Sequence, residues 1–204
     1  MKILTTTALI CSGLALAACQ PSAPAPTAGG AQAGCLTRAY DSIGGPIDLI
    51  THTGESVTEA TYKGAPTVVF FGFTFCTNMC PVVLPALKQA YAKLPSTVEP
   101  PNTLFISFDH ERDTPEALAN YVSLEAFPEK LVGLTGTPEA LAAAADAFNV
   151  YYQRIEEPDS LAGYTYDHSY LIYIMDADWK LKTFFTLNDA TPDYMADCLS
   201  AVLS

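Results

Sequence analysis

The chain has 204 residues, half of them hydrophobic, with 22 acidic against 10 basic side chains and a formal charge of −12 at pH 7. That length gives one domain with extensions, and the apolar share suffices for a sizeable core. The acidity argues against binding nucleic acid or docking onto an anionic membrane surface, and it suits a basic partner.

Residues 1–18 read as a secretory leader, with Lys2 as the charged start, an apolar stretch through Leu16, and small residues before Cys19. The apolar stretch falls short of the roughly 20 residues a spanning helix needs. Leu16-Ala17-Ala18-Cys19 resembles the bacterial lipobox. In that pattern Cys19 is lipidated after cleavage and acyl chains hold the protein to the membrane, with the domain on the extracytoplasmic, periplasmic side. Cleavage after Ala18 without lipidation is the alternative, and it releases the domain. Residues 19–34 comprise the lipidated cysteine and a Pro/Ala/Gly-rich tether without charge or large apolar side chains, which cannot build a core. Fully extended, the fifteen residues after Cys19 reach roughly 50 Å. Residues 35–204 then form the folded domain.

Residues 43–62 read as a β-hairpin turning at Thr53-Gly54-Glu55, with residues 57–62 as the returning strand. Thr67-Val68-Val69-Phe70-Phe71 is an unbroken apolar run, the mark of a strand buried on both faces. A helix follows to about Leu94, with Pro81 in its first turn and Pro85 bending it. Residues 103–108 are a second buried strand ending at Asp109, and residues 131–134 a shorter one. Three helices open on one device, Thr114-Pro115-Glu116, Thr137-Pro138-Glu139 and Thr191-Pro192-Asp193. Each places a Thr cap, a Pro at the first helical position and an acid in the first turn, predicting helices over 115–123, 138–148 and 192–203. Residues 150–154 suggest a strand and residues 156–163 a polar loop able to cover a site. Residues 169–175 and 181–185 flank a turn and form a hairpin. The order of elements predicts an α/β, thioredoxin-like fold with an N-terminal β-hairpin extension.

Chemistry concentrates at Cys76 and Cys80, three residues apart at the junction between the central strand and its helix. The positive end of a helix favours thiolates, so the pair can form a disulfide, offer two soft ligands to a metal, or serve as a structural bridge. His168 lies in Tyr166-Asp167-His168-Ser169, at the start of the strand over 169–175, and in this fold that loop faces the cysteine-bearing helix end. Two thiolates and an imidazole suit copper: Cys selects Cu(I), imidazole suits Cu(II), and the mixture can hold either. His52 reads as a solvated turn residue, and His110 as a neighbour of the site at the end of a strand.

From Ile43 onward the chain resembles the Sco (SenC/PrrC) family, copper-binding proteins that serve cytochrome c oxidase assembly. The resemblance rests on Gly44-Gly45-Pro46, Lys63-Gly64, Phe71-Gly72-Phe73-Thr74, Cys76-x-x-x-Cys80-Pro81, Asp109-x-Glu111-Arg112-Asp113-Thr114-Pro115, Leu134-Thr135-Gly136 and Asp167-His168-Ser169. It implies copper ligation by Cys76, Cys80 and His168, with Asp109 as a supporting residue. It also implies a metallochaperone, not an enzyme, that delivers copper to the copper A centre of an oxidase subunit. Other periplasmic copper carriers and thiol–disulfide proteins are further partners. The chain departs from the family pattern at Thr77-Asn78, where Pro-Asp is common, at His110, where a proline is common, and in the turn at residues 176–179, which lacks a glycine.

Two other functions compete. A thiol–disulfide oxidoreductase would use the same pair on a partner's cysteines, because a disulfide cannot ligate copper and copper blocks exchange. A peroxiredoxin-like peroxidase expects an Arg beside the attacking thiolate, and Phe73-Thr74-Phe75-Cys76 supplies no basic neighbour. Once Cys11 leaves with the leader and Cys19 is lipidated, Cys35 and Cys198 remain outside the motif. In an oxidising compartment they either pair as a structural disulfide or stay apart, with Cys198 a small buried residue. Pairing is expected where the final helix packs near the sheet edge that the N-terminal hairpin approaches.

Overall fold

The six residues of β3 (Thr67–Gly72) are all buried, as an apolar run without polar alternation requires, and the sheet is built outward from them. The computed structural model describes residue 35 and residues 40–203, all within one compact unit over 33–204. The expected leader, Cys19 and tether lie outside the described residues. β3 pairs in parallel with β4 (Asn102–Ser107), from Thr67 opposite Asn102 to Gly72 opposite Ser107. β4 pairs in parallel with β5 (Leu131–Thr135). On its other side β3 meets β8 (Ile172–Met175), which is antiparallel and is followed by β9 (Leu181–Phe185). β1 (Asp48–Thr51) and β2 (Ser56–Thr58) close the far edge, giving the order β2-β1-β5-β4-β3-β8-β9.

Three helices lie between these strands in sequence, α2 (Cys80–Tyr91), α3 (Pro115–Val122) and α4 (Pro138–Ala147), and α5 (Pro192–Leu203) follows the last strand. The Thr-Pro-acid device works as its chemistry requires. The Thr114 hydroxyl accepts from the Ala117 amide at 3.3 Å, Thr137 from Ala140 at 3.2 Å and Thr191 from Tyr194 at 3.4 Å. Pro85 stands inside α2 without ending it.

Three expectations need correction. The strand expected over 57–62 ends at Thr58, and the chain turns into a short helix, α1 (Glu59–Tyr62). There the Thr58 amide donates to Thr61 Oγ1 and the Ile47 amide to the Glu59 carboxylate, holding a turn that a continuing strand could not make. The polar loop expected over 156–163 is shorter, spanning 158–162, because residues 156, 157 and 163 join a second sheet, β6 (Tyr152–Glu157) paired with β7 (Gly163–His168). Third, His168 closes β7 rather than opening β8, which begins only at Ile172.

The turn before β9 lacks the usual glycine, and Trp179 takes a left-handed φ of 64° in its place. The buried indole holds that conformation: its Nε1 donates to the Gly45 carbonyl at 2.9 Å, and its ring stacks on Tyr62.

Cys35 and Cys198 are joined by a disulfide with Cα atoms 4.3 Å apart. The route differs from the expected one. α5 packs against α2, and Tyr194 near its start meets Phe185 at the end of β9, whereas the β1–β2 hairpin forms the opposite edge of the sheet. Cys35 therefore reaches α5 before the chain enters the hairpin.

Candidate metal centre

Between the end of β3 and the start of α2, the Cys76 amide donates to the Phe73 carbonyl at 3.1 Å, curling the loop over the helix N-terminus. The Cys80 amide, an orphan donor of the first turn, points at the Cys76 sulfur at 3.4 Å. Both thiols are free; Cys80 is fully buried and Cys76 keeps 9 % exposure. Gly72 makes room for this packing. A Cβ built there would lie 2.7 Å from the Cys80 sulfur and 2.8 Å from the Phe105 ring, so an alanine must displace both.

The two thiols are electrostatically unequal. A hydrogen bond from the Cys80 thiol pulls Cys76 down to about 3; burial opposes this, while His168 and the backbone amides of Cys80 and Asn78 assist. Cys80 is pushed well up by the same hydrogen bond, by burial and by the negative charge on Cys76. At neutral pH the pair therefore carries a thiolate on Cys76 and a proton on Cys80.

His168 completes the group. Its Nδ1 lies 2.8 Å from the Ser169 carbonyl, which can only accept, so Nδ1 carries a proton and Nε2 is the nitrogen left for another partner. That Nε2 is buried and has no hydrogen-bond partner. Leaving a buried acceptor unsatisfied costs about 1–3 kcal/mol, a cost that a metal bond would offset. Phe73, Phe108 and Tyr170 surround the imidazole, with ring centroids at 6.1, 4.9 and 4.3 Å. The loop is pinned through Ser169, whose amide donates to the Tyr151 carbonyl and whose hydroxyl accepts from the Tyr151 amide. Among the described residues no three His, Cys, Asp or Glu side chains stand as a ready-made metal cage. The donor set itself fits a soft ion: two sulfurs and one neutral imidazole.

The segment from Asp109 to Asp113 holds this arrangement in place from outside. Asp109 is fully buried and accepts from Arg112 Nε at 2.5 Å and from the Tyr164 hydroxyl at 2.7 Å. Its carboxylate thus braces the hairpin whose last residue is His168. Arg112 Nη1 donates to the carbonyls of Ala162 and Tyr164, both at 3.0 Å. The Arg112 and Arg154 guanidiniums each lie 3.6 Å from the Tyr164 ring centroid, and Arg154 pairs with Glu111 at 2.9 Å. Asp113 grips the cysteine loop instead, accepting from the Thr74 amide at 2.8 Å, the Thr74 hydroxyl at 2.5 Å and the Ser107 hydroxyl at 2.5 Å. Burial raises the Asp113 pKa, and these three donors oppose the rise.

The remaining polar groups of the motif fall elsewhere. His110 is exposed, with Glu139 as a charged neighbour, and His52 Nδ1 accepts from the Gly133 amide in a tie to β5. A basic group does stand by the cysteine loop: the Arg112 guanidinium is 4.6 Å from the Phe75 ring centroid. It is occupied by Asp109 and the hairpin carbonyls, and it is not among the causes that lower Cys76.

Residues 37–204 match the SCO1/SenC family. The chain belongs to that family. Over 151 residues it is 41 % identical to "Protein SCO1 homolog, mitochondrial" of Homo sapiens, covering 72 % of this chain and 48 % of the human protein. It thus spans about half the length of that curated relative. Arabidopsis thaliana ScoI, solved with copper bound, superposes with a TM-score of 0.70 at 39 % identity, over 76 % of this chain and 94 % of that one. Bradyrhizobium japonicum ScoI, also with copper bound, gives 0.69 at 37 % identity over 78 % and 98 %. Their fold is the thioredoxin-like architecture of this SCO1/SenC chain.

Sequence reasoning missed one residue of this candidate centre in the SCO1/SenC chain. Asp113 was legible only as a member of a motif, because its partners Thr74 and Ser107 lie on other elements.

Proposed function

We propose that this SCO1/SenC protein is a copper metallochaperone in which Cys76, Cys80 and His168 hold the ion, and that it hands copper to the copper A centre of a cytochrome c oxidase subunit. The observation that carries the reading is the His168 Nε2, buried and without a hydrogen-bond partner, beside a thiolate–thiol pair. Copper in the solved plant and bacterial relatives supports the choice of metal. Cu(I) would take the two sulfurs and the imidazole as a three-ligand set, and Cu(II) would accept the same atoms. Asp109 would serve the ion indirectly, through the hairpin it braces. Phe75 and Val82, 52 % and 56 % exposed, give a partner an apolar landing next to the cysteines. Exposed Glu111, Glu156, Glu157 and Asp167 would meet a basic rim.

The proposed setting is the outer side of a bacterial membrane, with lipidated Cys19 and the tether letting the domain reach membrane-bound partners. Among the described residues no helix is long and apolar enough to cross a membrane. A second reading, thiol–disulfide exchange on partner cysteines, draws on the depressed, slightly exposed Cys76 with the buried Cys80 behind it. One mixing experiment tests both. The reduced domain, loaded with Cu(I), is incubated with the copper-free soluble domain of an oxidase subunit, and the two are separated. Copper should be recovered on the acceptor. In a second arm the copper-free reduced domain meets an acceptor whose cysteines are oxidised; reduction of that acceptor with formation of the Cys76–Cys80 disulfide, and no copper transfer in the first arm, would favour exchange instead.

A further inference from the structure

The cysteine loop and the hairpin that ends at His168 are both fastened to one segment, residues 109–113. Asp113 takes the cysteine loop, by the Thr74 amide and hydroxyl. Arg112 takes the hairpin, its Nη1 donating to the carbonyls of Ala162 and Tyr164 on either side of Gly163, the first residue of β7. The same guanidinium lies 3.6 Å from the Tyr164 ring centroid, and 4.6 and 5.9 Å from those of Phe75 and Phe73 on the cysteine loop. One planar group therefore touches both elements that carry the proposed ligands. From Tyr164 the alternation of β7 leads through buried Tyr166 to buried His168. The chemistry of the position calls for arginine. Its side chain keeps 15 % exposure and its partner Asp109 none, so each charge needs the other. Bonds to a carboxylate and to two carbonyls leave one rigid plane that also lies beside aromatic rings, a combination a single ammonium cannot supply. Nη2 is buried with no hydrogen-bond partner, a cost that a charge serving the surface alone would not carry.

We propose that Arg112 is a positioning residue for His168, holding the β6–β7 hairpin against the cysteine loop and so keeping the imidazole available to the ion that the sulfurs bind. The inference rests on His168 being a ligand, as proposed above, and it adds what holds that ligand in place. Without the fork of Arg112 the two sulfurs remain and the third ligand is loosened. An Arg112 variant should then bind copper as a His168 variant does.

Arg112→Lys keeps a charge beside Asp109 and loses the fork. In the reduced domain its Cu(I) affinity, measured by competition with a chelator, should fall about tenfold, as for loss of an outer partner. Placed in His168→Ala, the same change should cost less than about twofold, because the ligand it positions is already gone. The copper-free domain gives an independent reading by NMR. The imidazole protons of His168 lie among the rings of Phe73, Phe108 and Tyr170, which displace their resonances. In Arg112→Lys they should return toward free-histidine positions, while those of buried Leu141 and Ala144 on α4 stay. Unmoved His168 resonances, parent-like copper affinity, or an equal loss in the two backgrounds overturns the proposal and leaves Arg112 a brace of the fold alone. If His168→Ala itself binds copper like the parent, the ligand reading falls, and the resonances alone decide whether Arg112 places the imidazole. Should Arg112→Lys fail to fold, Asp109→Asn combined with Arg112→Gln, which buries no unpaired charge, is held to the same criteria.

Discussion

Replacing Cys76 or Cys80 by serine should weaken copper binding more than about 100-fold, beyond what loss of an outer hydrogen bond costs. Each change deletes one of two sulfurs from a three-donor set, and a hydroxyl is a poor ligand for Cu(I). The Cys80 change carries an added packing cost, because that sulfur is completely buried against Gly72 and Phe105. The pair also sets a pH dependence. Cys76 is already a thiolate above pH about 3, whereas Cys80, pushed upward, must lose its proton to bind. Copper uptake should therefore release a proton across neutral pH, and the apparent affinity should rise about tenfold per pH unit until Cys80 titrates. Competition titration against a chelator at several pH values measures both effects. Parent-like affinity in Cys76→Ser would remove Cys76 from the site.

Cys35→Ala should destabilise the domain by several kcal/mol. The disulfide spans 163 residues, and on the chain-entropy model closing such a loop contributes up to about 5 kcal/mol. For a domain of this size that corresponds to a melting temperature lower by about 10–20 °C. Cys35 is the better position to change, because Cys198 is fully buried in α5 and its truncation would add a cavity cost. Guanidinium unfolding of parent and variant, both carrying Cys76→Ser and Cys80→Ser so that no reductant is needed, gives the difference. A loss below about 1 kcal/mol would mean that the bond adds little to this fold.

Strong local signals gave a faithful outline of the domain. An all-apolar run can only be a doubly buried strand, and a Thr-Pro-acid triplet satisfies a helix start within four residues, so β3 and the capped helices α3, α4 and α5 were readable in one dimension. The β6–β7 hairpin was not. Gln153, Arg154, Glu156 and Glu157 make β6 look like a solvated loop, although Tyr164, Tyr166 and His168 do alternate with Thr165 and Asp167 along β7. That alternation puts His168 on the inward face, and it was a period-two signal available from sequence. The placement of α5 failed for a different reason: which side of the sheet a final helix covers depends on long-range packing that no local pattern encodes. Cys76, Cys80 and His168 were legible as chemistry. Asp109 was named only through the family motif, and the grip of Asp113 on the cysteine loop was not legible, since its partner Thr74 lies 39 residues away.

The central claim is that His168 is a ligand and not a bystander to a redox pair. Its most direct test is copper titration of the reduced parent domain beside His168→Ala, each also assayed for formation of the Cys76–Cys80 disulfide. Losing an imidazole ligand should lower copper affinity by more than about tenfold, while disulfide formation, which needs only the two sulfurs, stays intact. Equal copper affinity in the two proteins would contradict the assignment and transfer the site to thiol–disulfide exchange.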